Sequence, residues 1–240
     1  MPAASHSGPV PGWHLDEVAS AGRENLDPEH VARYDIKMDA GADEEIALCQ
    51  ALGLGPSSTV VEFGSGTGQF TTAVASKCAR VIAVDVSAVM HARLRNKLKD
   101  GGVINVEQVQ AGFLTYRHTG EPADLVYSRL ALHHLPDFWK AVALHRIHGI
   151  LRPGGIFRLW DVVYSFEPGE AAEQIESWCS TGGPSVEDDW SRAELEEHVR
   201  DEHSTFSWIL EPMAVRCGFT VESAEYSDDQ ILAMYILRRT

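Results

Sequence analysis

The chain has 240 residues, of which 44% are hydrophobic and 23% are charged. This is the composition of a folded protein, and the length suits one large domain that buries its core without disulfides. Because 35 acidic residues face only 20 lysines and arginines, the formal net charge is −15 at pH 7. A surface this acidic repels phosphates, so we expect no nucleic-acid or membrane partner, although the charge leaves room for a local basic groove.

The chain ends and the cysteines indicate the compartment. Residues 1–12 are small and rich in proline and lack the apolar run of a signal peptide, so we predict a disordered tail before one domain over residues 13–240. No stretch approaches the roughly 18 apolar residues of a membrane span. The four cysteines lie far apart, which favours reduced thiols in a cytoplasmic protein. We expect a monomer or a homodimer.

Helix and strand patterns alternate along the first half of the chain. A helical pattern over Asp39–Leu52 stops at Gly53. The β-branched run Thr59–Phe63 then predicts a buried strand, and a helix is predicted over Gln69–Lys77. A second strand follows at Arg80–Asp85.

The next helix is predicted to begin after Ser87, a good capping residue, and Met90, Leu94 and Leu98 recur on one of its faces. The elements predicted after it are strands at Asn105–Val109, Ala123–Tyr127 and Ile156–Val163 and a helix at Phe138–Ile150. Strands that alternate with helices at this spacing predict right-handed crossovers and a parallel sheet with helices on both faces.

The alternation breaks after Tyr164. Residues Glu167–His203 are rich in acids and carry no strand pattern, so we predict an inserted helical lid at about residues 165–210, with the acids as a solvated face. Aromatic side chains of this lid either close over a flat substrate or pack on the main domain. They are Trp178, Trp190, Phe206 and Trp208. The chain closes with two strands, Phe219–Tyr226 and Ile231–Arg238, which predict an antiparallel hairpin.

The strongest chemical signal is the glycine-rich loop Glu62–Gly68, between the first strand and the helix that follows it. Glycines at three alternate positions let the backbone turn sharply and approach a ligand beside the free N–H groups of the helix. A dinucleotide fingerprint would need glycine where Gln69 stands, which argues against nicotinamide or flavin.

Two acids converge on this loop. Asp85 ends the second strand, 21 residues after Gly64, and a carboxylate there can accept both hydroxyls of a ribose or cap the following helix. Glu62 ends the first strand in the same crevice. The loop and the acids in this register predict a ligand that contains adenosine.

These residues carry a resemblance. Val60–Gly68 resembles motif I of class I S-adenosylmethionine-dependent methyltransferases, and the resemblance continues through Val84-Asp85 and Asp124–Tyr127. Two later pieces, Leu132–Asp137 and Leu151–Gly155, are similar to small-molecule methyltransferases of the ubiquinone/menaquinone-biosynthesis type. The resemblance implies an α/β fold: a Rossmann-like, seven-stranded, mostly parallel sheet with an antiparallel last strand. It also implies S-adenosyl-L-methionine as cofactor.

The resemblance also implies cofactor contacts. Three glycines would approach the methionine part, Asp85 the ribose, and Val86 the adenine. In relatives an acid ends the third strand and binds the adenine amino group, but here Gly112 stands there, so backbone groups and Phe113 would hold the adenine. The full predicted set is Tyr34, Glu62, Gly64, Ser65, Gly66, Gly68, Asp85, Val86, Gly112, Phe113, Ser128 and Arg129.

Catalytic candidates follow strands four and five. Neighbouring side chains point in different directions, so we expect His133 to reach the transferred methyl and His134 to pack at the helix start; alternatively, both cap and pack that helix. Asp161 could orient a substrate, act as a base or cap a loop, and His203 could reach the pocket from the lid. The sequence shows no metal-binding constellation.

These interpretations predict methyl transfer to the oxygen, nitrogen or carbon of a small organic acceptor. Transfer is a direct displacement, so the protein mainly positions the reactants, and a base is needed only if the acceptor must lose a proton. Two alternatives stay open: a nucleotide-dependent oxidoreductase of the NAD type, and a cofactor-binding partner subunit without activity of its own.

Overall fold

The computed structural model describes residues 11–22, 42–183 and 190–240, and its centre is an eight-stranded sheet. The strands are β1 (Thr59–Phe63), β2 (Arg80–Asp85), β3 (Val106–Gln110), β4 (Ala123–Arg129), β5 (Leu151–Tyr164), β6 (Thr205–Phe206), β7 (Phe219–Tyr226) and β8 (Leu232–Arg239). Seven of them lie in the order β3-β2-β1-β4-β5-β8-β7, and β6 pairs with the end of β5. β8 runs antiparallel to both of its neighbours, β5 and β7, and the other described strand pairs are parallel. The predicted sheet is confirmed, and the short β6 is an addition to it.

The described helices cover both faces of this sheet, as predicted. They are α1 (Glu17–Ser20), α2 (Ala42–Ala51), α3 (Gln69–Ala75), α4 (Ala88–Asp100), α5 (Asp137–Ile150), α6 (Ala171–Cys179), α7 (Arg192–Asp201) and α8 (Ser207–Arg216). The Ser87 hydroxyl accepts a hydrogen bond from the Met90 N–H at 3.2 Å, which confirms the predicted cap of α4. No helix in the described ranges is long and apolar enough to cross a membrane.

Alternation along β1 explains why the sheet carries two cores. Val60 and Val61 are both fully buried, but successive side chains of a strand point to opposite faces. Val61 packs in a cluster with Phe63 and α5, whereas Val60 packs in a cluster with Phe70 of α3. Because this central strand is covered on both faces, its sequence is a continuous apolar run instead of an alternating one.

The structure extends β5 toward its N-terminus. The sequence predicts a strand from Ile156, but pairing with β4 begins at Leu151. The register shifts between Ala123 and Leu125, so the additional residues of β5 are taken up as a bulge. Pro153 therefore lies inside the strand at an irregular position, where its missing N–H costs no ladder bond.

The inserted segment after β5 is helical, as predicted, and consists of α6 and α7 with residues 184–189 outside the described ranges. The Arg192 guanidinium joins the two helices because it bonds Glu176 at 2.9 Å. Phe206 packs on Tyr164 and Phe166 at the base of the segment. Trp208 is 56% exposed, so it does not close over a pocket in this structure.

Candidate active site

A cavity of about 620 Å³, counting its mouth, opens at the carboxyl ends of β1, β2, β3 and β4. It lies where the strand order reverses between β1 and β4, which is the usual ligand crevice of an open parallel sheet. Four segments form its wall: α1, the glycine-rich loop with the end of β2, the segment after β3, and the turn after β4. The predicted residues on this wall are Gly64, Gly66, Asp85, Val86, Gly112 and Phe113.

The glycine-rich loop requires its glycines. Gly64, Gly66 and Gly68 have φ values of +68°, +52° and +83°, in the left-handed region that other residues avoid. A Cβ on Gly64 would collide with Ala131, and one on Gly68 would collide with Leu94. The backbone can therefore lie directly on the cavity floor, at the N-terminus of α3.

The Asp85 carboxylate holds this loop against the end of β2. Its Oδ2 accepts from the Gly66 N–H at 2.7 Å, and its Oδ1 accepts from the Ser87 N–H at 2.8 Å. Burial raises the pKa of Asp85, while these N–H donors oppose the shift. Each oxygen retains acceptor capacity, so the carboxylate can bind ribose hydroxyls from its place on the wall.

Several predicted contacts lie outside the cavity wall. Glu62 is buried beneath the loop, where its carboxylate accepts from the Thr71 hydroxyl and burial raises its pKa to about 8. Ser65 and Ser128 are buried, and Arg129 stacks over the Trp160 ring at 4.1 Å. Gly68 packs against α4. These residues support the site from behind; Tyr34 lies outside the described residues.

The structure reverses the two histidines, so the prediction that His133 reaches the pocket is wrong. His134 lines the cavity, whereas His133 is buried. Both belong to a 3₁₀ turn, Leu132–His134, in which successive side chains point about 120° apart. Asp161 fixes the turn because its Oδ2 accepts from the Leu132 and His133 N–H groups at 2.8 and 3.1 Å, and its Oδ1 contacts the His133 ring. Asp161 is thus a buried cap away from the cavity wall.

Residues of the inserted segment complete this cluster. Glu202 Oε2 lies 3.0 Å from His133 Nε2 and 2.6 Å from His198 Nδ1. The ligand-type atoms of these three residues lie within 4.8 Å of one another, and the pairing of Glu202 with the two histidines already accounts for the arrangement. The His203 N–H donates to the His133 carbonyl at 3.0 Å, but His203 is absent from the described cavity wall.

The neighbouring imidazoles differ in charge. Although burial opposes it, the charge of Asp161 together with hydrogen bonds to Asp161 and Glu202 raises the pKa of His133 to about 10. Burial and the charge on His133 lower the pKa of His134 to about 3. At neutral pH His133 is therefore a cation between two carboxylates, and His134 is a neutral imidazole on the cavity wall.

Sequence reasoning missed three residues of this site. Glu202 and His198 belong to the acidic run that the sequence presents as a solvated face. Glu17 stands in the polar segment before the first strand, yet it is buried and lines the cavity. The sequence gives almost no sign of Glu202 or Glu17, because each acid pairs with residues that lie far away along the chain, and these pairs produce no local pattern.

Comparison with known proteins identifies the class. Residues 60–155 match the sequence profile of a family described as "Methyltransferase domain". The chain is 30% identical over 167 residues to an uncharacterised methyltransferase of Geobacillus kaustophilus, covering 69% of this chain and 71% of the relative. The N-methyltransferase NodS of Bradyrhizobium japonicum, solved with S-adenosyl-L-homocysteine, shares the fold at 18% identity and a TM-score of 0.61, covering 94% and 99%. Magnesium protoporphyrin IX methyltransferase of Synechocystis, also with this product bound, matches at 13% identity and a TM-score of 0.62, covering 92% of each chain.

The chain belongs to the class I S-adenosylmethionine-dependent methyltransferases. It is an enzyme that uses S-adenosylmethionine. This assignment takes the place of the two alternatives from the sequence, a nucleotide-dependent oxidoreductase and an inactive partner subunit. The described residues fit the cofactor, because a loop with no room for a Cβ at Gly64 or Gly68 lies beside an acid at the end of β2. Gly64, Gly66 and Asp85 are the residues that would hold it.

Proposed function

We propose that the protein methylates a small organic acceptor that enters the cavity beside His134. The observation that carries this proposal is the position of His134, on the same wall as Gly64 and Asp85. The recess is lined mainly by apolar side chains with a few polar groups, as small-molecule sites are. The net charge of −15 argues against a nucleic-acid acceptor.

His134 is the imidazole placed to take a proton from the acceptor, and its lowered pKa makes it a weak base until a bound substrate changes its surroundings. When bound, S-adenosylmethionine would supply a methyl group activated by its sulfonium, and the sulfur would keep the electron pair of the broken S–C bond as a thioether. A hydroxyl, amine or carbon acid that forms the new bond to carbon loses one proton, and the neutral His134 ring can accept it. Glu202 Oε2 lies 3.9 Å from His134 Nδ1, and its charge favours the imidazolium, but burial and the charge on His133 outweigh this effect.

A product screen tests the acceptor class. The protein is incubated with S-adenosylmethionine and separate pools of small alcohols and phenols, small amines, small carbon acids, a peptide mixture, and RNA. Mass spectrometry then detects methylated product, and S-adenosylhomocysteine is quantified in each pool. We expect turnover in a small-molecule pool. Methylation of only the peptide or RNA pool would overturn the proposal.

A further inference from the structure

An acid from the N-terminal segment reaches the cavity wall beside the segment that follows β3. Glu17 opens α1 and is only 8% exposed. Its Oε1 accepts from the Leu114 N–H at 3.0 Å, and its Oε2 accepts from the Thr115 hydroxyl at 2.9 Å. Asp16 caps α1 by accepting from the Val18 N–H at 3.0 Å, which fixes where the Glu17 side chain starts. The carboxylate is therefore held in place.

The Glu17 carboxylate occupies the space of a missing side chain. Gly112 has no positive φ, so its backbone would accept any residue. However, a Cβ built on Gly112 would overlap the carboxylate carbon and both oxygens of Glu17. The two positions are thus complementary. Gly112 has no side chain, and the Glu17 carboxylate fills the space that a side chain at position 112 would occupy.

The surroundings define which part of the cofactor meets this acid. Glu17 and Asp85 are the two carboxylates on the described cavity wall, and Asp85 ends β2 beside the glycine-rich loop. Val86 and Phe113 line the same cavity as Gly112 and give it apolar surface, as the faces of a purine need. A purine placed there has a 6-amino group, and the Glu17 oxygens keep lone pairs beyond those used by Leu114 and Thr115.

We propose that Glu17 is the adenine-binding acid of this enzyme and accepts a hydrogen bond from the 6-amino group. The acid comes from α1, so the N-terminal segment is part of the cofactor site. This assignment concerns cofactor binding and stands whether or not the acceptor is small.

Calorimetry with two ligands isolates this contact. S-inosylhomocysteine carries an oxygen where S-adenosylhomocysteine carries the amino group, so it offers Glu17 no donor. We expect the wild type to prefer the adenosine ligand roughly 10- to 100-fold, the scale of one hydrogen bond to a charged group. Glu17→Ala should bind both ligands about equally. Glu173→Ala, on an exposed turn of α6, serves as the matched control and should keep the wild-type preference.

Three further variants keep the test decisive if Glu17→Ala folds poorly. Glu17→Gln preserves the side-chain volume, but its amide can present either an oxygen or an NH₂ group, so the preference should fall. The double variant Glu17→Ala/Gly112→Asp moves the acid to position 112 and should restore the preference, whereas Gly112→Asp alone should weaken binding because the two carboxylates collide. An unchanged ligand ratio in Glu17→Ala or Glu17→Gln would overturn the assignment, even if both affinities fell together.

Discussion

The adjacent imidazoles of His133 and His134 differ in charge: His133 is a cation and His134 is neutral. The turn that carries them places His133 between carboxylates and points His134 at the cavity. His133 meets Asp161 on one nitrogen and Glu202 on the other, so it has no lone pair to offer an acceptor. His134 is neutral at pH 7 and lies on the wall. Of the two histidines, His134, which the sequence assigned to packing, is therefore the one placed to act if the reaction uses a base.

Replacing His134 should slow chemistry without weakening the cofactor. We expect His134→Gln to lower kcat about 10²- to 10⁴-fold, because a positioned base contributes that much when the acceptor loses a proton. Affinity for S-adenosylhomocysteine by calorimetry should stay within a few-fold of wild type. His145→Gln, on the exposed side of α5, is the control. A kcat loss below tenfold for His134→Gln would leave positioning as the source of the rate.

Removing the Asp85 carboxylate should weaken the cofactor instead. We expect Asp85→Ala to cost about 1.5–3 kcal/mol of binding free energy for S-adenosylhomocysteine, the scale of hydrogen bonds to a charged group. Part of this loss reflects the Gly66 N–H, which would no longer be held. Isothermal titration calorimetry measures the change, and circular dichroism verifies that the fold persists. Unchanged affinity would show that Asp85 neither binds the ribose nor holds the loop for the cofactor.

Residue-level prediction from the sequence succeeds where a role follows from local pattern. The glycines and Asp85 stand at the ends of strands that the pattern locates, so their meeting in one crevice is foreseeable. The orientation of His133 and His134 is not, because it depends on Asp161, which is 28 residues away along the chain. Glu17 accepts a hydrogen bond from a residue 97 positions away, so the local sequence around it gives no sign of this contact.

At the scale of elements, the His133 cluster joins the inserted helical segment to the turn after β4. Glu202 follows α7, His133 follows β4, and Asp161 belongs to β5. The charged imidazole of His133 therefore joins three parts of the chain. Lys140 of α5 adds to this junction by donating to the His203 carbonyl and, at 3.0 Å, to Asp137. The sequence correctly predicts the helices here, but their attachment rests on long-range charge pairs.

This junction makes stability depend on pH. The pKa of a histidine is near 6.5 in an unfolded chain, whereas that of His133 is about 10 in the fold. The folded state binds this proton more tightly, so the contribution is complete below about pH 6.5 and is lost as pH rises through 10. Urea unfolding of wild type and His133→Gln from about pH 6 to pH 9.5 should give a free-energy gap that narrows with pH. A constant gap would contradict the charged state of His133.

At the scale of the whole molecule, the strand order brings distant segments to one crevice. Because β1 lies between β2 and β4, the loops after all three strands meet on one edge, although Gly64 and His134 are far apart in sequence. The N-terminal α1 then covers the adjacent segment after β3 through Glu17. Since these parts meet only in the folded chain, a ligand that contacts them together must stabilise the fold as a whole.

Product binding should therefore raise the melting temperature. At a concentration 100 times its Kd, a ligand that binds only the folded state adds about 2.7 kcal/mol, and a domain of this size gains about 2–4 °C per kcal/mol. We expect S-adenosylhomocysteine to raise Tm by about 5–11 °C in differential scanning fluorimetry, and NAD at the same concentration to leave it unchanged. Asp85→Ala should cut the shift to half or less, because its weaker binding reduces the ratio of ligand to Kd. Equal Tm shifts with NAD and with S-adenosylhomocysteine would mean that the crevice recognises only the adenosine that the two ligands share.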